Sequence, residues 1–233
     1  MMAGRGVDIG AGRQQDSRMR IAGPASAGFF RGASGLSSGK LIAGIAALSV
    51  LLSGCALLGG GSNPLDTYEL TAPAAGDGKS RSRRQILIAE PSALKALDGQ
   101  SIVITPSPGV IQYLKGAQWA DRLPRIVQAR LAETFQRSGE FGGVGKPGEG
   151  LAIDYQILVE VRAFDVRVAQ GGRAHVELFV KILNDRNGVV RASKTFVNEA
   201  PLAGAGNDAY IAALDSAFNQ AAAEIVDWTD SLI

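Results

Sequence analysis

The chain has 233 residues, of which 46% are hydrophobic and 20% charged, and a net charge of +2. That composition excludes a disordered or collagen-like chain and suits one domain or two small ones. The charge is uneven: residues 1–54 carry six Lys/Arg against Asp8 and Asp16, while residues 55–233 carry 18 Lys/Arg against 20 Asp/Glu. The near-neutral remainder lacks the basic footprint that a nucleic-acid partner requires. A single His (His175) and a single Cys (Cys55) exclude a His/Cys metal cluster and an intramolecular disulfide.

The first element is the apolar run 41–52, LIAGIAALSVLL. A helix of this length spans about 18 Å, short of a hydrocarbon core of about 30 Å. The run suits the apolar region of a secretory signal, with Arg31 and Lys40 before it and small residues after it. It ends in Leu52-Ser53-Gly54-Cys55, which resembles the bacterial lipobox. Small residues before the cysteine let a peptidase reach the backbone, and the Cys55 thiol takes a diacylglycerol. Residues 1–54 are therefore expected to be a signal peptide with an unusually long leader, for which Met19 is a second possible start. The mature chain would begin at Cys55, carrying a diacylglycerol and an N-acyl chain and no other cofactor. Residues 55–84 read as anchor, Gly/Ser/Pro tether and a short strand at Thr67–Leu70. The compact domain is expected over 85–233.

Within that domain, Gln85–Glu90, Ser101–Thr105 and Val110–Leu114 read as strands, the last two joined by a Pro-Ser-Pro-Gly turn. Asp121 is positioned to cap a helix running to about Arg137 and ending at Ser138-Gly139. Its stripe is Leu123, Val127, Leu131 and Phe135, widened by Ile126 and Thr134, and Pro124 fits its first turn. Residues 141–150 are a Gly-rich connection with a short strand near Val144. In 151–163 the alternation puts Leu151, Ile153, Tyr155, Ile157, Val159, Val161 and Ala163 on one face, with Asp154, Gln156, Glu160 and Arg162 on the other. In 173–183, Ala174, Val176, Leu178, Val180 and Ile182 face inward against His175, Glu177 and Lys181. Asn187-Gly188 signals a hairpin back through Val189–Val197. A last helix, about Asn207–Leu232, carries Ile211, Leu214, Phe218, Ala221/Ala222, Ile225, Trp228 and Leu232. The pattern predicts an α/β two-layer sandwich: a mixed, mostly antiparallel sheet of about six strands with two main helices on one face.

Candidate chemistry is sparse. Ser92-Ala93-Leu94-Lys95 fits the S-x-x-K nucleophile pattern without its companion boxes, and Ser92 reads better as a helix-turn cap. Gly145-Lys146 and Gly39-Lys40 lack the remaining phosphate-loop residues. His175 reads as a half-exposed sheet residue rather than a general base. Asp154 and Glu160 share a face but lie about 20 Å apart at about 3.3 Å per residue, too far for paired carboxylate catalysis, and read as solvated. No catalytic or metal-binding constellation emerges.

The ordered series Thr67-Tyr68-Glu69-Leu70, Tyr113, Trp119-Ala120-Asp121-Arg122-Leu123-Pro124, Leu131, Ser138-Gly139-Glu140-Phe141, Asp154-Tyr155, Phe164 and Trp228 resembles the ABC-type transport auxiliary lipoprotein family. That family includes the lipoprotein of the paraquat-inducible system. Ala56, standing where an Asp commonly retains lipoproteins in the inner membrane, makes the outer membrane the expected location, and the resemblance implies a periplasm-facing lipoprotein with no catalytic residues to carry over. Its partner would be an MCE-domain protein of an ABC transporter that moves phospholipid or another apolar solute between the two membranes, and it would self-associate or dock on that assembly. Tyr68, Tyr113, Trp119, Leu123 and Pro124 would then be mainly packing residues. A free-standing periplasmic lipoprotein enzyme and a structural envelope lipoprotein are the alternatives.

Overall fold

The computed structural model describes residues 64–74, 83–169 and 171–233. Leu52, Ser53, Gly54, Cys55 and most of the tether lie outside them. Among the described residues are nine strands and two helices. The strands are β1 (Asp66–Tyr68), β2 (Gln85–Ile88), β3 (Ser92–Ala93), β4 (Ser101–Ser107), β5 (Val110–Trp119), β6 (Gly143–Gly145), β7 (Tyr155–Arg167), β8 (Arg173–Asn184) and β9 (Val190–Pro201). The helices are α1 (Leu123–Ser138) and α2 (Asn207–Asp230).

The sheet is organised around β7. One edge of β7 pairs antiparallel along its length with β8, which pairs antiparallel with β9. Its other edge takes three short parallel strands in succession: β2 at Tyr155–Ile157, β3 at Glu160–Val161 and β4 at Asp165–Arg167. β5 folds back antiparallel on β4, β1 runs parallel to the end of β5, and β6 flanks β2. The long pairings are antiparallel and the parallel ones are short, as expected of the mixed sheet. The extra strands are two or three residues long, too short to leave a periodic signal.

Both helices cover the apolar face. α1 packs on β2 and β6, α2 on β7, β8 and β9, and the helices touch each other. The stripes read from the sequence are the buried ones: Leu123, Ile126, Val127, Leu131, Thr134 and Phe135 on α1, and Ile211, Leu214, Phe218, Ala221, Ala222 and Ile225 on α2. α1 stops at Gly139, whose left-handed φ of 67° a glycine adopts without a Cβ penalty. Asp121 does not cap α1: Arg122 occupies the cap position and makes no side-chain capping bond, and Asp121 Oδ1 accepts from the adjacent Arg122 amide at 2.7 Å.

Two irregularities depart from the simple alternation. β7 shifts register between Val161↔Leu178 and Ala163↔Glu177, leaving Arg162 as the extra residue. A one-residue bulge flips every later side chain. Ala163 therefore moves to the outer face, while Phe164 and Val166 enter the core. β5 runs five residues past the expected Leu114, because Gly116, with φ of 73°, absorbs a bend opposite Ser101–Val103. The displaced Lys115 carbonyl accepts from Asn207 Nδ2 at 3.2 Å. Likewise Leu151 is exposed and precedes β7, and Ser92 caps no helix but lies in β3, opposite Glu160.

Candidate functional site

The segment Trp119–Pro124 has an inner and an outer register. Trp119 is 1% exposed and meets Phe164 edge-on, with ring centroids 5.9 Å apart. Phe164 in turn meets Phe218 of α2 at 6.2 Å. Leu123 and Pro124 are buried at the start of α1, where proline forfeits an amide that has no helical partner. Between them Arg122 faces outward, donating from Nε to Asp98 Oδ1 at 2.9 Å and from Nη1 to Glu90 Oε1 at 3.0 Å. Downstream, Phe141 packs on Phe135 at 5.2 Å, just beyond the Gly139 cap. Tyr68 is packed against the core, and its hydroxyl donates to Asp208 Oδ1 at 2.6 Å, in the first turn of α2. That bond and the neighbouring acid push the phenol up to about 12. Tyr68, Trp119, Leu123 and Pro124 are thus in contact with the core or buried in it. Tyr113 is not: it is 51% exposed on β5, beside exposed Val110 and Ile111. Only Ala117–Trp119 of β5 pair with β1, and β4 lies on the other edge. Among the described residues, the stretch Val110–Gly116 therefore has one edge without a strand partner.

His175 is the main correction. It is 5% exposed rather than half-exposed. It lies on the face away from the helices, directly opposite Asp165 on β7 and Glu199 on β9. The Arg162 bulge is what turns Asp165 toward it. Arg167 reaches across β8, with Nη2 2.7 Å from His175 Nδ1 and Nη1 3.7 Å from Glu199 Oε1, and so covers the imidazole. The same Nδ1 lies 3.3 Å from Asp165 Oδ1. Arginine only donates and an ionised carboxylate only accepts, so the two contacts call for opposite protonation states of one nitrogen. Burial pushes the Asp165 carboxyl up, but hydrogen bonds from His175 and Thr105, with the charge of Arg167, outweigh it and hold the group below its usual range. Glu199 is lowered too, first by the Arg173 hydrogen bond at 2.7 Å. Beside this cluster Thr105, Ser107, Arg167, Ala169, Arg173 and Glu199 line an open cleft of about 690 Å³. Sequence reasoning missed Asp165, Arg167 and Glu199 as a group. The signal was there only as polar residues at matched register on three strands.

The other candidates are not brought together. Ser92 pairs with Glu160, five residues along β7 from Asp165, or about 17 Å at about 3.3 Å per residue, so it gives His175 no nucleophile. Gly145 is strand, and the Lys146 amide is held by Glu149 Oε2 at 2.9 Å, which leaves no phosphate cradle. Asp154 is not a solvated face residue. It accepts from the Gln85 amide at 3.0 Å and from Arg186 Nη2 at 2.7 Å, and these bonds hold its carboxyl below the usual range. Glu160 pairs with Arg162 on the outer face. Among the described residues no group of three or more His/Cys/Asp/Glu is placed to hold a metal, and no helix is long and apolar enough to cross a membrane.

This architecture, with its packed motif residues, agrees with known proteins. Residues 68–226 match the family described as the ABC-type transport auxiliary lipoprotein component, and the chain belongs to that family. It is 31% identical over 189 residues to the uncharacterized protein bll6063 of Bradyrhizobium diazoefficiens, across 78% of this chain and 50% of that one. The chain thus spans about half the length of the curated relative it matches. The solved structure of XCC0632 from Xanthomonas campestris is similar with a TM-score of 0.65 at 29% identity, covering 71% of this chain and 95% of that one. A second solved, uncharacterized protein shares the fold with a TM-score of 0.58 at 18% identity, over 71% of this chain and 99% of its own. By that description the family is a lipoprotein component auxiliary to ABC-type transport.

Proposed function

We propose that the protein is the non-catalytic lipoprotein partner of an MCE-type ABC transporter carrying phospholipid or another apolar solute between the inner and outer membranes. In this reading Cys55, acylated after cleavage at Gly54, anchors it in the inner leaflet of the outer membrane, facing the periplasm. Ala56 stands where an Asp commonly retains lipoproteins in the inner membrane, which favours the outer one. The observation that carries the reading is the family match over residues 68–226 downstream of Leu52-Ser53-Gly54-Cys55. The His175 cluster supports a structural rather than a hydrolytic role, because the imidazole is 5% exposed and covered by Arg167.

The test is co-purification of the full-length protein from its native membranes with an MCE-domain protein, set against a Cys55→Ala variant. Wild type should be acylated, fractionate with outer membranes and retain the MCE protein. The variant should accumulate as unprocessed precursor or leave the membrane, because several acyl chains are needed for stable anchoring. Hydrolase turnover removed by Ser92→Ala or His175→Ala would overturn the non-catalytic reading.

A further inference from the structure

The strand registers fix which loops share an end of the sheet. Thr105 lies opposite Arg167, Arg167 opposite Arg173, and Arg173 opposite Pro201. The β4–β5 hairpin tip, the β7–β8 turn and the β9–α2 loop therefore cluster at one end. The segments 105–116, 166–176 and 200–206 that build it contain no Asp or Glu, and carry Lys115, Arg167 and Arg173. The nearest acids are engaged within the fold: Glu199 with Arg173, Asp165 with His175, Asp208 with Tyr68. Val110, Ile111, Tyr113 and Val168 are exposed there. The opposite end, at the β8–β9 turn and the loop before β7, also exposes Val189 and Leu151, but sets them among exposed Asp185, Arg186, Lys146 and Glu149.

Strand β1 is entered from this same end of the sheet. β1 is parallel to β5, with Asp66 opposite Ala117. Tracing back from Asp66 therefore leads in the direction of the hairpin tip at Val110. The tip lies seven residues beyond Ala117 along β5, or about 23 Å at about 3.3 Å per residue. The 11 residues 56–66 span at most about 36–40 Å. That contour exceeds the distance from Asp66 to the tip, so the tether is long enough for the tip to meet the membrane that holds Cys55.

We infer that the hairpin tip, with the β7–β8 turn beside it, is a lipid-facing surface. It rests Val110, Ile111, Tyr113 and Val168 in the headgroup layer of the membrane that holds the anchor. Tyrosine is enriched at that depth because its ring is apolar and its hydroxyl stays wet. Lys115 suits anionic headgroups, and the hairpin tip and the β7–β8 turn carry no carboxylate of their own to repel them, Glu199 beside them being paired with Arg173. The occupant is a bilayer rather than a second copy of the chain, because β1 is entered from the side of the tip and the tether to Cys55 is short. The inference rests on the lipid-anchor reading of Cys55.

The test uses the full-length acylated protein in vesicles of phosphatidylethanolamine and phosphatidylglycerol doped with brominated phosphatidylcholine. Tyr113→Trp and Val189→Trp place an indole at either end, and the wild-type signal of the interior Trp119 and Trp228 is subtracted. Quenching should be at least about twofold stronger for Tyr113→Trp, as a shallow interfacial position requires. Equal quenching of the two variants, with both floating with the vesicles, overturns the lipid-facing surface and leaves the anchor intact. Failure of wild-type protein to float with vesicles overturns the anchor and this inference together. Shielding of the Tyr113→Trp indole that follows protein concentration rather than bromolipid content gives the surface to a second copy and overturns it as well.

Discussion

Trp119 and Tyr113 stand six residues apart on one strand, and replacing each with alanine separates packing from surface. The Trp119 indole is 1% exposed and wedged against Phe164, which leads on to Phe218 of α2. Its removal opens a void between sheet and helix that neither backbone can close. Truncation of a buried large aromatic costs about 3–5 kcal/mol. For a domain of this size that lowers Tm by about 6–20 °C, taking about 2–4 °C per kcal/mol. Of the cost, about 0.5–1.5 kcal/mol belongs to the edge-to-face pair with Phe164, and a double-mutant cycle with Phe164→Leu should return it as the coupling energy. Tyr113→Ala should change stability by no more than about 0.5 kcal/mol, as exposed positions do. The assay is urea unfolding followed by far-UV circular dichroism, since the Trp119 variant loses half the native indoles. A Trp119→Ala cost under about 1.5 kcal/mol, or a Tyr113→Ala cost equal to it, would refute this account of the strand.

Asp165 should make the fold acid-sensitive. Its carboxyl is held below the usual range when folded, so its contribution is fully present above the unfolded value of about 3.9 and is lost as pH falls through the lower folded value. Asp165→Asn should flatten the acid limb of a Tm-against-pH profile relative to wild type; an unchanged limb would count against the cluster. Gly116→Val should cost about 1–3 kcal/mol in the same unfolding assay, because a β-branched residue is strained at a φ of 73°. A neutral result would mean that the β5 bend lies elsewhere.

The elements with strong periodicity were legible in the sequence. The four-residue spacing from Leu123 to Phe135, the alternation from Ala174 to Ile182 and the Asn187-Gly188 hairpin all reappear, because each signal is local and set by one buried face. What escaped depends on a single residue or on distant partners. Arg162 looks like any outward residue of an alternating strand, yet as a bulge it sends Phe164 inward and Asp165 outward. Gly116 looks like a strand end and is a bend within β5. β3 offers two residues, too few for a period. His175 was placed on the correct face, but its burial comes from an arginine eight residues away that crosses the neighbouring strand, which no periodicity encodes. Motif membership likewise concealed that Tyr113 and Trp119 have opposite environments.

The dependence of the N-terminal pieces on β7 bears on when the domain can form at all. Ile86 pairs with Tyr155, and Val103 with Asp165. Thr71 is clasped by Asp215 at 2.6 Å and 2.7 Å and by Asn219 at 2.9 Å. Each early segment therefore waits for partners made tens of residues, or well over a hundred, later in synthesis. Topologies dominated by such distant pairings fold slowly, on the order of milliseconds to seconds. A nascent chain still lacking α2 has neither the cover for its apolar sheet face nor the carboxylate that fixes Thr71. Under the lipoprotein function proposed above, a chain exported before it folds gains from this arrangement, since the last helix to be made is the one that closes the structure.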